Sequence, residues 1–111
     1  MHILQLLPAL DVGGVERGVV DLATGLIRRG HRVSVASSGG ALVESLCQAG
    51  AAHHTLPVDR KSPASIAAMI PAVARLIRQT GVDVVHARSR VPAWIGLLAA
   101  RRTQTPFLTT C

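Results

Sequence analysis

The pattern that most constrains this chain is a regular alternation between short apolar runs and amphipathic segments of helical period. Five apolar runs predict strands, at residues 2–7, 32–36, 53–56, 82–86 and 106–109. Four segments with apolar residues at helical spacing lie between them, at residues 15–28, 41–49, 63–80 and 92–100. Strands that alternate with helices over short connections form a parallel sheet with helices on both faces. The sequence therefore predicts one α/β domain over residues 1–111, a Rossmann-like, doubly wound, three-layer sandwich of five strands and four helices.

Length and composition exclude several other classes of protein. The 111 residues suffice for one domain, and 49% of them are hydrophobic. No apolar run approaches the roughly 18 residues that would cross a bilayer. The first residues lack the positive segment and the cleavage site of a signal peptide, and two cysteines do not make a disulfide framework. We therefore expect a cytoplasmic domain.

The charged residues give the chain an excess of positive charge. Twelve Lys and Arg residues, all of them Arg except Lys61, oppose six Asp and Glu, for a formal net charge of +6. Such a surface favours anionic partners in general. Nucleic-acid binding by base stacking would need aromatic residues, which are only 2% of the chain, so we expect no nucleic-acid partner. The adjacent His53 and His54 would point to opposite faces of a strand, so we also expect no metal site.

The first predicted ligand site is the glycine turn after the first strand. In open parallel sheets, ligands bind at the carboxyl ends of the strands, where the strand order reverses. Gly13 and Gly14 lead directly into the first helix, so backbone N–H groups and the positive helix end could hold a diphosphate there. A tight turn from strand to helix explains the same two glycines equally well.

The second predicted ligand site is the loop after the fourth strand. His86 is predicted to end that strand, and Arg88 and Arg90, with Ser89 between them, could reach an anionic group in the crevice. The alternative is a capped strand end with two solvated arginines. Trp94, near the start of the next helix, is predicted to pack in the core or at its rim.

Missing motifs argue against three common activities of this kind of sheet. The first loop lacks G-x-G-x-x-G, and the second strand ends in Ser37 and Ser38 rather than in an acidic residue, which disfavours nicotinamide binding. The chain has neither the G-x-x-x-x-G-K-[ST] motif of P-loop nucleotidases nor the G-x-S-x-G elbow of hydrolases. A small flavoprotein or another oxidoreductase stays open on these residues.

Three stretches of the chain carry a more specific combination of motifs: LPALDVGGVERGVVDLATGLIRRGHRVSVASSGG, VDVVHARSRVPAW and TPFLTT. The first reads as a strand, G-G-x-E-R, an amphipathic helix, and G-H-x-V before a second strand. Together they resemble the N-terminal domain of a family 4 glycosyltransferase of the two-domain GT-B fold, over the whole chain. Within that family the chain resembles bacterial enzymes that build lipopolysaccharide or other envelope glycans.

This resemblance implies an activity and its partners. It implies transfer of a sugar from a nucleotide-sugar donor to a glycan or lipid-linked acceptor, with retention of configuration and without a required metal or other cofactor. Lipid-linked acceptors and the excess of arginine would suit peripheral contact with the inner face of a membrane.

The resemblance also assigns roles to the residues of the two predicted sites, although none of them as a catalytic group. The glycine loop would approach the donor diphosphate, and the two matching residues after it would orient the loop or the helix; these are Gly13, Gly14, Glu16 and Arg17. The fourth strand end would line the acceptor cleft, through His86, Arg88, Ser89 and Arg90.

The chain also departs from the family pattern. Members of the family are several times longer, because a second domain grips the nucleotide. A histidine that usually lies next to the reacting sugar would fall immediately after Cys111. The resemblance therefore implies that the 111-residue chain does not catalyse transfer by itself. Two alternatives stay open, a stand-alone nucleotide- or phosphate-binding module and one subunit of a split transferase.

Overall fold

The computed structural model describes residues 1–9 and 14–110, and strands and helices alternate strictly along them. The elements are β1 (His2–Leu6), α1 (Gly14–Arg28), β2 (Arg32–Ser37), α2 (Val43–Gln48), β3 (Ala52–Thr55), α3 (Pro63–Thr80), β4 (Val84–Arg88), α4 (Arg90–Thr103) and β5 (Phe107–Thr110). This order confirms the predicted five strands and four helices.

All five strands form one parallel sheet with the order β3-β2-β1-β4-β5. The chain runs outward from β1 to β3 on one side and then places β4 and β5 on the other side of β1. The strand order therefore reverses between β1 and β4, which confirms the predicted Rossmann-like, doubly wound sheet. In such folds the carboxyl ends of the two strands at the reversal form the crevice that binds ligands.

Each face of the sheet carries its own hydrophobic core. On one face, α3 and α4 pack against the centre of the sheet through buried residues such as Leu6, Val85 and Ile95. On the other face, α1 packs against β2, with Val19 and Val35 in the same core, and α2 packs against β3. Because successive residues of a strand face opposite sides, β2 contributes to both cores, through Ala36 on the α3 and α4 side and Val35 on the α1 and α2 side.

On the α1 side, β4 and β5 are only partly covered. Val84 and His86 are half-buried there, and Leu108 of β5 is 49% exposed. The two helices of this side lie over the other half of the sheet, against β2 and β3. Within the described residues, the partly exposed faces of β4 and β5 therefore form a surface beside α1 that no helix covers.

The fourth strand is shifted from its predicted position. The prediction that His86 ends the strand is wrong, because His86 lies in the middle of β4 and the strand continues to Arg88. Ala87 pairs with both Leu6 and Thr109, so the ladder extends past the apolar run. A polar sequence at the carboxyl end of a strand is typical of a loop, but here these residues pair with the neighbouring strands through backbone hydrogen bonds.

Candidate functional site

The carboxyl edge of the sheet is where the predicted site residues gather. Both α1 and α4 begin at this edge, so the unpaired N–H groups and positive ends of both helices lie there. Gly14 is the first residue of α1, Glu16 is half-buried in its first turn and Arg17 is exposed. Gly13 lies outside the described residues, so the role of the glycine loop stays a prediction.

The fourth strand divides the four predicted acceptor residues between the two sides of the sheet. Its buried residues belong to the core beneath α3 and α4, so the alternating His86 and Arg88 face the α1 side. Ser89 and Arg90 lead into α4, which packs on the opposite face. The structure therefore brings the four residues to one edge but does not bring their side chains to one point.

On the α1 side, polar residues occupy the centre of the sheet. Gln5 of β1 lies beside His86 in the strand register and is only 2% exposed. The Oε1 atom of Gln5 and the Nε atom of Arg88 are buried without a hydrogen-bond partner within the described part of the chain. Leaving a buried polar group unpaired costs about 1–3 kcal/mol. A polar ligand or a further polar segment that forms hydrogen bonds with these two atoms would recover that cost and would therefore bind favourably here. Sequence reasoning missed Gln5, whose one signal is its position inside the apolar run HILQLL.

His86 has the electrostatic environment of a neutral imidazole. Burial lowers its pKa below the ordinary value of 6.5, and the positive charge of Arg88 lowers the pKa further. At neutral pH the ring is therefore uncharged and has one nitrogen to donate and one to accept a hydrogen bond. Such a ring can bind a hydroxyl group, and the neighbouring guanidinium can bind an anion.

On the α4 side, a groove of about 440 Å³ opens between the start of α4 and the end of β5. It is lined by Ser89, Arg90, Ala93, Trp94 and Thr109, and we call it the Trp94 groove. The indole is 57% exposed, so the prediction that it packs in the core or at its rim is wrong. The face of α4 that enters the core carries isoleucine and small residues instead, which leaves the bulky ring at the groove.

The residue that connects β4 to α4 has an unusual backbone. Ser89 has φ 76° and ψ 164°, and its side chain makes no capping hydrogen bond to the helix. This region of backbone space is essentially restricted to glycine and costs another residue about 1–3 kcal/mol. The chain therefore turns from strand to helix through a strained serine at the mouth of the Trp94 groove.

Two histidines elsewhere in the fold, His2 and His53, make hydrogen bonds within the domain. At the amino edge of the sheet, His2 Nδ1 donates to the Thr80 carbonyl oxygen at 2.8 Å and Nε2 accepts from the Ser34 hydroxyl at 2.6 Å. At the carboxyl edge, His53 Nε2 lies 2.7 Å from the Ser37 hydroxyl. Within residues 1–9 and 14–110, no three His, Cys, Asp or Glu side chains come together as a metal site. Nor does any helix in this part of the chain have the length and apolar character needed to cross a membrane.

Comparison with known protein families identifies the domain. Residues 12–111 match the model of Glycosyltransferase Family 4, which is almost the whole chain. The chain belongs to glycosyltransferase family 4. The family match confirms the resemblance seen in the sequence motifs. A comparison with curated proteins found no match.

Solved structures show the same fold in longer proteins. A glycosyltransferase from Rickettsia africae is 41% identical, with a TM-score of 0.88 over 99% of this chain and 29% of that protein. MurG from Acinetobacter baumannii is 22% identical, with a TM-score of 0.76 over 97% of this chain and 34% of MurG. The lipopolysaccharide outer core galactosyltransferase WaaB is 12% identical, with a TM-score of 0.75 over 98% of this chain and 32% of WaaB. The last two similarities show the fold alone, and in all three the chain spans about a third of the other protein.

Proposed function

We propose that this family 4 domain is the acceptor-side, N-terminal domain of a retaining glycosyltransferase that uses a nucleotide-sugar donor. The acceptor is a glycan or a lipid-linked glycan of the cell envelope, and the reaction takes place in the cytoplasm at the inner face of the membrane. The observation that carries the proposal is the family match over residues 12–111. Similarity to proteins named as a Rickettsia glycosyltransferase, MurG and a lipopolysaccharide galactosyltransferase supports it.

The carboxyl edge of the sheet supplies suitable groups for such a reaction. The loop that contains Gly13 and Gly14 approaches the donor diphosphate and holds it through backbone N–H groups at the start of α1. Glu16 and Arg17 orient that loop or the helix. His86, neutral at pH 7, binds a hydroxyl group of the acceptor, while Arg88 binds an anionic group nearby.

In this proposal the donor nucleotide is bound mainly outside this domain. The domain spans 29% of the Rickettsia glycosyltransferase, and no group described here is suited to recognise a nucleotide base. The domain therefore binds the acceptor and contacts the donor phosphates, while the remaining part of such a protein binds the nucleotide. Transfer requires both parts.

A chimaera tests this division of labour. We would join this domain to the remaining part of the 41%-identical Rickettsia protein and measure release of nucleoside diphosphate from a panel of nucleotide sugars. We expect release that depends on added acceptor glycan, a product with the donor's anomeric configuration by NMR, and at least a tenfold loss with Arg88→Gln. Arg101→Gln, the same charge change at the exposed far end of α4, is the matched control. Transfer by the 111-residue domain alone would contradict the division, and a folded chimaera without transfer would contradict the function.

One observation favours a second arrangement, in which the domain is one subunit of a split transferase. Among the described strands β5 lies at the edge of the sheet beside β4, and its Leu108 is 49% exposed. An unpaired strand edge with exposed apolar residues is a surface to which another chain can bind. Light scattering distinguishes the two arrangements, because a domain that stays monomeric when mixed with the separate remaining part argues against a split enzyme.

A further inference from the structure

The Trp94 groove has an aromatic surface that the packing of the fold does not require. Trp94 is the only tryptophan of the chain, and its side chain is 57% exposed on a helix whose next residue, Ile95, is fully buried. Large aromatic side chains left exposed in a concave site commonly form ligand-binding surfaces. The flat indole face suits the apolar C–H face of a sugar ring, and Ser89 and Thr109 line the same groove. The Thr109 hydroxyl donates to the Ala87 carbonyl oxygen at 3.0 Å, so its oxygen is left to accept a hydrogen bond from a hydroxyl group at the ring edge.

The charge in the groove has one sign. Arg90 is exposed, and among the described residues that line the groove it is the one charged residue and none is acidic. Arg90 and Trp94 are four residues apart on α4, so they lie on the same face of the helix, about 6 Å apart along its axis. A guanidinium at that distance can bind a carboxylate or phosphate carried by the sugar that stacks on the indole.

The strained residue at the groove supports a role for its side chain. Glycine at position 89 would remove the backbone cost, yet the chain has serine there, and that hydroxyl makes no capping bond to α4. Ser89 is one of the residues that line the groove. A ligand hydroxyl group is a suitable partner for it.

From these observations we infer that the Trp94 groove binds an anionic sugar unit of the acceptor, with the ring on Trp94 and the anionic substituent on Arg90. This inference rests on the proposed function and adds the substrate class to it. A membrane surface is the competing occupant, because Trp and Arg are also common at lipid interfaces. A concave groove with two hydroxyl-bearing walls favours a sugar over a bilayer, which would contact a protruding apolar surface.

The fluorescence of Trp94 provides a direct test. The chain has one tryptophan and no tyrosine, so its intrinsic fluorescence reports on this groove alone. We would titrate the protein with glucose 6-phosphate, glucuronate, glucose, inorganic phosphate and phosphatidylglycerol vesicles. We expect saturable changes with the first two ligands, and at least tenfold weaker binding of glucose and of inorganic phosphate. The stronger of the two anionic sugars identifies which anion Arg90 prefers.

Four variants separate the contacts from a general effect on folding. Arg90→Gln should weaken binding of the anionic sugars at least tenfold and leave glucose unchanged, whereas Arg101→Gln, at the exposed far end of α4, should change neither. Trp94→Phe should keep binding and Trp94→Ala should lose it, as measured by ligand-observed NMR, with circular dichroism to verify the fold. Trp94 is exposed, so neither substitution removes a core contact.

The opposite results are equally clear. The inference is overturned if no sugar gives a saturable change, if glucose or inorganic phosphate binds as tightly as the anionic sugars, or if only the vesicles change the fluorescence. An active chimaera combined with an unresponsive groove would refute the inference and leave the proposed function intact. Binding at the groove combined with a folded but inactive chimaera would refute the function and not the sugar site.

Discussion

Replacing Ser89 with glycine should stabilise this domain, although glycine usually destabilises a protein. The serine joins β4 to α4 with φ 76° and ψ 164°, a conformation that glycine adopts without steric conflict. Its side chain makes no capping bond to α4, so the substitution removes no hydrogen bond from the helix end. The change in stability should therefore come mainly from the loss of backbone strain at position 89.

The expected magnitude follows from two opposing contributions. Removing the backbone strain at Ser89 should add about 1–3 kcal/mol to the free energy of unfolding. The greater freedom of glycine in the unfolded chain removes about 0.5–1 kcal/mol of that gain. The free energy of unfolding should rise by about 1 kcal/mol, which corresponds to an increase in Tm of about 4 °C for a domain of this size.

Urea unfolding followed by far-UV circular dichroism measures this change. The midpoint should rise with an unchanged slope, because the surface exposed on unfolding stays the same. Ser45→Gly is the matched control, since Ser45 is exposed within α2, and the substitution should lower stability by about 0.5 kcal/mol. If Ser89→Gly lowers stability by as much as the control, Ser89 is not strained and the reasoning is refuted.

Two further predictions concern glycine packing and pH. A Cβ atom at Gly96 would lie within 3.0 Å of two core side chains, so Gly96→Ala should lower Tm despite better helix propensity, a net loss of about 1 kcal/mol. Gly25→Ala, which meets nothing within 4 Å, should raise stability by about 0.5–1 kcal/mol, and thermal melts that moved both variants in one direction would contradict the packing argument. Burial lowers the pKa values of His53, His54 and His86 below 6.5, and nearby positive groups lower them further. As the pH falls, the unfolded chain therefore binds protons before the folded domain does, and the folded domain loses stability. The urea midpoint should be constant above about pH 7 and decrease below about pH 6.5, and a midpoint that does not change with pH would contradict the lowered pKa values.

Local signals were sufficient to predict the order of the elements. The helix α3 illustrates why, because Pro63 begins it and Gly81, with φ 69°, ends it in the left-handed conformation. Both positions are set by properties of single residues, so they can be recognised without knowledge of the tertiary structure. The same holds for α1, where an acidic residue in the first turn and Arg28 in the last match the helix dipole.

The candidate site was harder to predict because its geometry depends on neighbours distant in sequence. The length of β4 is determined by pairing with β1 and β5, so the prediction that the strand ends at His86 failed by two residues. Trp94 is exposed because the core face of α4 is filled by Ile95, Gly96 and Ala99. At Gly96 the approach is so close that an added Cβ would meet Leu6 and Phe107. No local pattern in the sequence reports such distances.

The extension of β4 also determines how an acceptor would have to lie. Alternation along the strand directs His86 and Arg88 to the α1 side, whereas Arg90 and Trp94 belong to α4 on the other side. A single sugar unit on the indole of Trp94 can therefore also contact Arg90, but it cannot reach His86 and Arg88. An acceptor that uses both must pass over the carboxyl end of β4 at Ser89, with one unit in the Trp94 groove and another beside His86. On the two proposals, the unit beside His86 receives the transferred sugar because it is on the side where α1 begins, and the unit in the groove determines which acceptor is bound.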